Sequence, residues 1–126
     1  MSEDLKPFAL VADDEALIRM DASFILSDAG FRLYEAANVE EALAHLERDA
    51  DSIRLLFTDV QMPPSRQTGF DLARQCAERW PPVKILVASG QVDPAPGDLP
   101  EGALFINKPF SDQVIAARLK ELLPDG

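Results

Sequence analysis

Short apolar runs that alternate with helix-like segments constrain the fold of this chain more than any other feature. The runs lie at 8–12, 31–36, 55–59, 83–89 and 103–108. The first and third are uninterrupted, as in strands buried on both faces, whereas the second alternates like a more exposed strand. Strands that alternate with helices predict one parallel sheet with right-handed crossovers and helices on both faces. We therefore expect a small α/β, doubly wound, five-stranded fold.

Helical patterns occupy three of the four connections and the end of the chain. The first helix should stop at Gly30, the second should begin with Asn38 and Glu41 as a capping box, and the last should be capped by Ser111. The third should cover about 70–80. Apolar residues group on one side of the first helix (Leu17, Met20, Phe24, Ile25), the second (Val39, Ala42, Leu43, Leu46) and the last (Ile115, Leu119, Leu122).

The fourth connection does not read as a helix. Residues 91–102 carry three prolines and two glycines, and each interior proline costs a helix about 3 kcal/mol. Twelve extended residues reach up to ~40 Å, which is enough to return along a strand of ~17–20 Å. The sequence therefore predicts a Pro-rich loop, or at most one turn, in place of a helix between the fourth and fifth strands.

Length and charge limit the remaining function classes. With 126 residues, the chain should form a single domain over 1–126 with a core at about 6–124 and no output domain. Its net charge of -10 disfavours nucleic acid and membrane surfaces as partners. The single cysteine, Cys76, allows no intrachain disulfide, and neither a signal peptide nor an apolar membrane-length run is visible. We expect a cytoplasmic location.

Polar residues terminate four of the predicted strands. Asp13 and Asp14 follow the first strand, Asp59 ends the third, Ser89 ends the fourth and Lys108 ends the fifth. In open parallel sheets the functional crevice lies at the carboxyl ends of the strands, so these side chains should meet at one edge. Taken singly, such an aspartate could be a helix cap, the lysine a surface residue, and Ser89-Gly90 only a turn.

Three crowded carboxylates need a cation or shared protons. At ~4 Å and an effective dielectric constant near 20, each pair repels by about 4 kcal/mol. Mg²⁺ usually takes one or two carboxylates and leaves its other positions to water and phosphate oxygens, and Mn²⁺ would also suit. We expect Asp14 and Asp59 as ligands, the backbone carbonyl of Gln61 within reach, and Asp13 acting partly through water. An aspartate in such a site can attack a phosphoryl group and form an acyl phosphate.

The sequence resembles the receiver domain of two-component response regulators. The matching segments are VADDE, LLFTDVQMP, ILVASG and FINKPF, and the resemblance covers about 6–124. It implies a flavodoxin-like sheet of order 2-1-3-4-5, with Asp59 as phosphoacceptor, Ser89 as switch hydroxyl and Lys108 as the lysine that balances phosphoryl charge. Phe105 lies where the family places an aromatic switch residue, although a plain core phenylalanine is an equally good interpretation.

The resemblance also implies function and partners. The phosphoryl group would come from a phosphohistidine of a sensor kinase or phosphotransfer protein. Output would be contact with an unknown downstream protein or a role as phosphate relay or sink. Beyond self-phosphorylation and autodephosphorylation the chain would not be an enzyme, and it would be a monomer or weak dimer. His45 has no bundle context for phospho-donation and should face solvent.

Two departures from the family and two rival functions remain. The glycine usually found eight residues after the phosphoacceptor is Gln67 here, and Gly69 follows instead, so the loop 63–68 should be two residues longer. Loss of the fourth helix should alter the output and dimer surface. A haloacid-dehalogenase-type phosphatase would need its nucleophile after the first strand and a cap domain. A pseudo-receiver would have lost acids that are present here.

Overall fold

The computed structural model describes residues 6–124 as a parallel sheet flanked by helices. The strand and helix ends expected from hydrophobic spacing all lie within two residues of the observed ends, and the largest difference is at β3, which starts at Ile53 rather than at 55. The elements are β1 (Phe8–Ala12), α1 (Ala16–Asp28), β2 (Arg32–Ala36), α2 (Val39–Asp49), β3 (Ile53–Asp59), α3 (Gly69–Arg79), β4 (Lys84–Ser89), β5 (Leu104–Asn107) and α4 (Asp112–Leu122).

The sheet has the order β2-β1-β3-β4-β5, and every neighbouring pair is parallel. This confirms the predicted flavodoxin-like topology. The central strands β1 and β3 are buried along almost their whole length, whereas the edge strand β2 is largely half-buried. The uninterrupted apolar runs of β1 and β3 and the alternating pattern of β2 reflect that difference.

Two apolar layers cover the two faces of the sheet. On one face, α2 and α3 contribute Val39, Leu46, Leu72 and Cys76 to a cluster that includes Leu56 of β3. The other face is covered by α1 and α4, with a cluster built from Ala22, Leu26, Ile115, Leu119 and Leu122. Helices on both faces hold the carboxyl ends of the strands at one open edge, which is where the site lies.

Helix ends follow the capping chemistry that the sequence predicts. The Asn38 side chain accepts a hydrogen bond from the Glu41 amide at 2.8 Å, and Glu41 Oε1 accepts one from the Ala37 amide at 2.9 Å. Ser111 caps α4 through the Val114 amide at 3.1 Å. Gly30 follows α1 with φ +105°, a left-handed conformation that glycine adopts without strain.

The apolar side of α1 lies opposite to where an amphipathic helix would normally place it. Leu17, Met20 and Phe24 are 81%, 61% and 74% exposed, whereas Ala22 and Leu26 are fully buried. Helix α1 is apolar on two sides, and only the side with the small Ala22 packs against the sheet. The predicted group is therefore split, since Ile25 packs partly against the cluster of α1 and α4 whereas Leu17, Met20 and Phe24 face outward.

His45 also differs from expectation, since it is half-buried rather than solvent-facing. Its ring stacks on Tyr34 with centroids 4.9 Å apart, and its Nε2 lies 3.1 Å from the carbonyl oxygen of Glu35. The cause is the edge strand β2, whose aromatic side chain offers the imidazole a packing surface. His45 thus has a structural role between α2 and β2.

The connection between β4 and β5 contains no helix or strand at 90–103, as its prolines predict. Val92, Leu99 and Ala103 nevertheless pack against the cluster beneath α2 and α3. The segment 91–102, called the Pro-rich segment below, is therefore an irregular but seated connection. None of the helices within 6–124 has the length and apolar character needed to cross a membrane. The expectation of no signal peptide concerns the first 15 residues, of which 1–5 lie outside the described residues.

Candidate functional site

The predicted polar strand ends meet at one edge of the sheet. Asp13 directly follows β1, Asp59 ends β3, Ser89 ends β4 and Lys108 directly follows β5. An open pocket forms there. Its lining comprises Asp14, Glu15, Asp59, Gln61, Met62, Pro63, Ser65, Gln67, Thr68, Ser89, Gly90, Gln91 and Lys108.

Three carboxylates form the negative part of the site. Asp13, Asp14 and Asp59 each place an oxygen within 4.8 Å of the others. Asp13 and Asp59 are buried, at 1% and 7% exposure, while Asp14 is exposed. The Asp13 side chain accepts a hydrogen bond from the Glu15 amide at 2.9 Å, and that of Asp59 accepts one from the Val60 amide at 2.8 Å. Backbone donors thus fix both buried carboxylates.

Lys108 supplies the positive charge of the site. Its Nζ lies 2.9 Å from Asp13 Oδ2 and 3.1 Å from Asp59 Oδ1, and its backbone amide donates to the carbonyl of Ser89 at 3.0 Å. Burial would lower the pKa of Lys108, but its hydrogen bonds and ion pairs with Asp13 and Asp59 outweigh burial and raise it. The side chain is therefore held as a cation between two acids.

Ionisation of the Asp59 carboxylate is disfavoured by its surroundings. Burial, followed by repulsion from Asp13, raises its pKa above the usual value of 3.8, and Lys108 and the Val60 amide offset only part of that increase. One lysine faces three acids, so the cluster carries an excess of two negative charges when all are ionised. Oxygen donors with excess charge at this spacing fit a hard divalent cation.

Ser89 is buried at the rim of the pocket and is already engaged by the next residues of the chain. Its Oγ accepts hydrogen bonds from the amides of Gln91 at 3.3 Å and Val92 at 3.1 Å. Phe105 lies on β5 opposite Val87 and is half-buried against the core. Its role as an aromatic switch stays a prediction, as does metal binding by the carbonyl of Gln61, an exposed residue of the lining.

Sequence reasoning missed how tightly Gly69 fits against Asp59. A Cβ atom at Gly69 would lie 1.8 Å from the backbone oxygen of Asp59, so any side chain there would clash. The Gly69 amide donates to the carbonyl of Val60 at 2.7 Å. The sequence shows only that this glycine is displaced from the spacing usual in the family. Its close approach to β3 closes the loop 60–68 beside the site.

Arg19 and Thr68 were also missed. Arg19 donates to the carbonyl of Asp13 at 2.8 Å and pairs with Glu35 at 3.2 Å, so it ties α1 to the strand ends behind the acids. Thr68 lines the pocket and caps α3 in a capping box with Asp71. A Thr followed by Asp three residues later is a readable cap signal, whereas nothing in the spacing of Arg19 signals its contact.

Comparison with known proteins agrees with this geometry. The family model described as "Response regulator receiver domain" matches residues 9–120. The chain belongs to the response regulator receiver family. Receivers are the signalling modules of two-component systems, and the expected family resemblance is confirmed over nearly the whole chain.

The curated proteins that this chain resembles are of different kinds. The sensor kinase CckA of Brucella abortus is 32% identical over 119 residues, covering 90% of this chain and 12% of CckA. The transcriptional regulatory protein PdtaR of Mycobacterium tuberculosis is 37% identical over 105 residues, covering 81% of this chain and 49% of PdtaR. The chain thus spans half or less of the length of these curated relatives.

Solved receiver structures superpose closely. The receiver domain of NtrX from Brucella abortus has a TM-score of 0.81 at 30% identity and covers 94% of this chain and 99% of that one. The receiver domain of the hybrid histidine kinase CckA has a TM-score of 0.76 at 30% identity, with coverage of 91% and 98%. The fold of this chain is therefore that of receiver domains.

Proposed function

We propose that the protein is a phosphorelay response regulator whose Asp59 accepts a phosphoryl group from a phosphohistidine. The observation that carries the proposal is the placement of Asp59, a buried acid in a three-carboxylate cluster bridged by Lys108. Within 6–124, both donors to its side chain, the Val60 amide and Lys108, approach Oδ1. Oδ2 is therefore the oxygen left to attack phosphorus.

The transfer needs positioning and charge balance more than covalent help from other residues. The Asp59 oxygen attacks phosphorus, the phosphorus–nitrogen bond of the phosphohistidine breaks, and an acyl phosphate forms. Lys108 balances charge on the transferred group, and the Ser89 hydroxyl donates a hydrogen bond to one of its oxygens. Asp14 and Asp59, the carbonyl of Gln61 and Asp13 through water would hold Mg²⁺, which supplies neutralisation of phosphoryl charge.

The donor would dock over the exposed side of α1. Glu15 lines the pocket, and the exposed Leu17, Met20 and Phe24 begin two residues further on. A protein that delivers a phosphoryl group to Asp59 must cover this edge, and an apolar stripe continuous with the pocket suits the helix of a histidine-bearing kinase or phosphotransfer protein. Without a partner, this stripe is energetically unfavourable, because it exposes three large apolar side chains to water.

Phosphorylation by a small donor tests the chemistry. Wild type and Asp59→Asn would be incubated with Mg²⁺ and acetyl phosphate or phosphoramidate and measured by intact-mass spectrometry. Wild type should gain one phosphoryl group and the variant none. No gain by wild type would favour a pseudo-receiver, gain by both would place the acceptor elsewhere, and rapid turnover of a phosphomonoester would favour a phosphatase.

Docking is tested separately with the histidine-bearing partner as donor. Phe24→Ser should slow transfer from a phosphorylated kinase or phosphotransfer protein by about tenfold while leaving labelling by acetyl phosphate unchanged, because interface anchors commonly contribute more than 1 kcal/mol. Val114→Ser, which alters an exposed apolar residue of α4, is the matched control. Equal transfer rates for both variants would remove α1 from the interface.

A further inference from the structure

The Pro-rich segment is held at its start by a residue of the phosphorylation pocket. Ser89 Oγ accepts hydrogen bonds from the amides of Gln91 and Val92, at 3.3 and 3.1 Å. Those two amides begin the segment, and Val92 packs into the core just behind them. The position of the Ser89 hydroxyl therefore sets where the segment leaves β4.

Near its far end the same segment is held by Arg74 of α3. The guanidinium Nη1 donates to the carbonyl oxygens of Gly97 at 3.4 Å and Asp98 at 3.0 Å, and lies 3.8 Å from the Asp98 carboxylate. Asp98 in turn closes a small turn, because its carboxylate accepts from the Ala95 amide at 2.8 Å. One side chain from another element thus fixes the turn 95–98, which lacks regular secondary structure.

Arg74 is itself linked back to the pocket. Its Nη2 donates to Asp71 Oδ1 at 2.6 Å, and Asp71 Oδ2 accepts from the Thr68 amide at 2.8 Å. Thr68 lines the pocket beside Asp59. The Thr68 amide, and after it the Thr68 hydroxyl and Arg74, lower the pKa of Asp71 despite slight burial, so this carboxylate stays ionised and keeps its pairing at neutral pH. A continuous chain of contacts runs from the pocket loop through Asp71 and Arg74 to Asp98.

We infer that Arg74 is a positioning residue that anchors the far end of the Pro-rich segment, so that phosphorylation moves only the part between Ser89 and the anchor. This inference rests on the proposed function. When the Ser89 side chain turns so that its hydroxyl donates to a phosphoryl oxygen, Oγ moves away from the amides of Gln91 and Val92, which lose their acceptor. Because the turn 95–98 stays fixed, residues 91–94 become the surface that changes with phosphorylation, in place of the helix that this receiver lacks.

Amide hydrogen exchange, measured residue by residue on the full chain, tests the anchor without any phosphorylation. In Arg74→Gln the amides of Ala95 and Asp98 should exchange on the order of tenfold faster than in wild type, because hydrogen bonds from a charged donor are lost. Arg79→Gln is the matched control on the same helix, since Arg79 pairs with Glu47 and not with the segment. Unchanged protection of Ala95 and Asp98 in Arg74→Gln would overturn the inference.

A second arm adds Mg²⁺ and acetyl phosphate, with intact mass confirming phosphorylation. In wild type, exchange should rise at Gln91 and Val92 and stay unchanged at Ala95 and Asp98; in Arg74→Gln it should rise at all four, and Arg74→Lys should lie between. A rise at all four in wild type would show that Arg74 does not confine the change. Absence of a mass gain would instead count against the proposed function and leave the first arm to decide on the anchor.

Discussion

The acidic pocket and the Pro-rich segment lie side by side at the same edge of the sheet, yet they are held in opposite ways. In the pocket, Asp13 and Asp59 are buried and are fixed by backbone amides and Lys108. The Pro-rich segment has no regular structure of its own and is held by hydrogen bonds to the side chains of Ser89 and Arg74 and by partial burial of Val92 and Leu99. Ser89 belongs to both regions.

The difference separates the chemistry of this receiver from its output. A fixed pocket suits phosphoryl transfer, which depends on preorganised charge. A segment held by a few hydrogen bonds suits a surface that must change, because regions that open readily have few buried apolar contacts and weak local stability. The strand ends that line the pocket carry the acids and the lysine that the resemblance implies, and the segment beside them has no helix at 90–103.

The largest effect is expected where the pocket loop meets β3. Gly69→Ala would place a methyl group 1.8 Å from the backbone oxygen of Asp59, so the loop or strand must move, at a cost of at least about 4 kcal/mol in the free energy of unfolding. Urea denaturation followed by circular dichroism would measure it. Gly90→Ala, whose Cβ meets nothing closer than 3.4 Å, should cost less than about 1 kcal/mol, and equal losses would refute the tight fit.

Core truncations should show the same contrast between the two regions. Leu56→Ala, beneath the pocket in β3 and fully buried, should lower the free energy of unfolding by about 2–5 kcal/mol. Leu99→Ala, in the half-buried part of the Pro-rich segment, should lower it by about 1 kcal/mol, since less apolar area is lost. Urea denaturation again gives both values. If Leu99→Ala cost as much as Leu56→Ala, the segment would be part of the rigid core.

A smaller effect of opposite sign is expected at Asp59. Burial raises the pKa of Asp59 in the folded state above its usual 3.8. Ionisation of Asp59 therefore lowers the free energy of unfolding as the pH rises from 3.8 through the raised pKa, and this loss persists at higher pH. In metal-free buffer at pH 7, Asp59→Asn should therefore raise the free energy of unfolding by about 1 kcal/mol.

The control for this effect is Asp21→Asn, which removes an exposed acid from α1 and should change stability by less than about 0.5 kcal/mol. Adding Mg²⁺ should then stabilise wild type more than Asp59→Asn, because ligand binding to the folded state adds to its stability. Destabilisation by Asp59→Asn in metal-free buffer would show that its pairing with Lys108 outweighs burial and repulsion.

The smallest effect concerns α3, which carries the anchor. Cys76 is fully buried on this helix, and burial raises the pKa of its thiol to about 12, so iodoacetamide at pH 8 should label native protein very slowly and unfolded protein quickly. Arg74→Gln should leave the native labelling rate unchanged. A marked increase in the labelling rate of that variant would mean that α3 itself is destabilised and that Arg74 does more than anchor the segment.

The strands and the acidic edge could be predicted from the sequence because each depends on local signals. Uninterrupted apolar runs mark the buried strands, acids stand at the ends of β1 and β3, and prolines at 94, 96 and 100 exclude a helix. The resemblance of motifs such as FINKPF supplied the rest. These features need no knowledge of which surfaces finally touch.

What could not be predicted depends on tertiary contacts. The sequence does not tell which side of α1 meets the sheet, and only the burial of Ala22 and Leu26 shows that Leu17, Met20 and Phe24 point outward. His45 stacks on Tyr34 of β2, a contact that cannot be predicted from the residue pattern of its own helix. Arg74 reads as an ordinary surface residue of α3, and its contact with Asp98 joins positions far apart in the chain.

The most direct test of the central claim is to trap the acyl phosphate chemically. After incubation with Mg²⁺ and acetyl phosphate, borohydride reduces an aspartyl phosphate to homoserine, and peptide mass spectrometry locates the altered residue. The account predicts homoserine at position 59 and an unmodified Asp13 and Asp14. Homoserine at position 13 or 14, or at no position in protein that received the same treatment, would contradict the assignment of Asp59 as the phosphoacceptor.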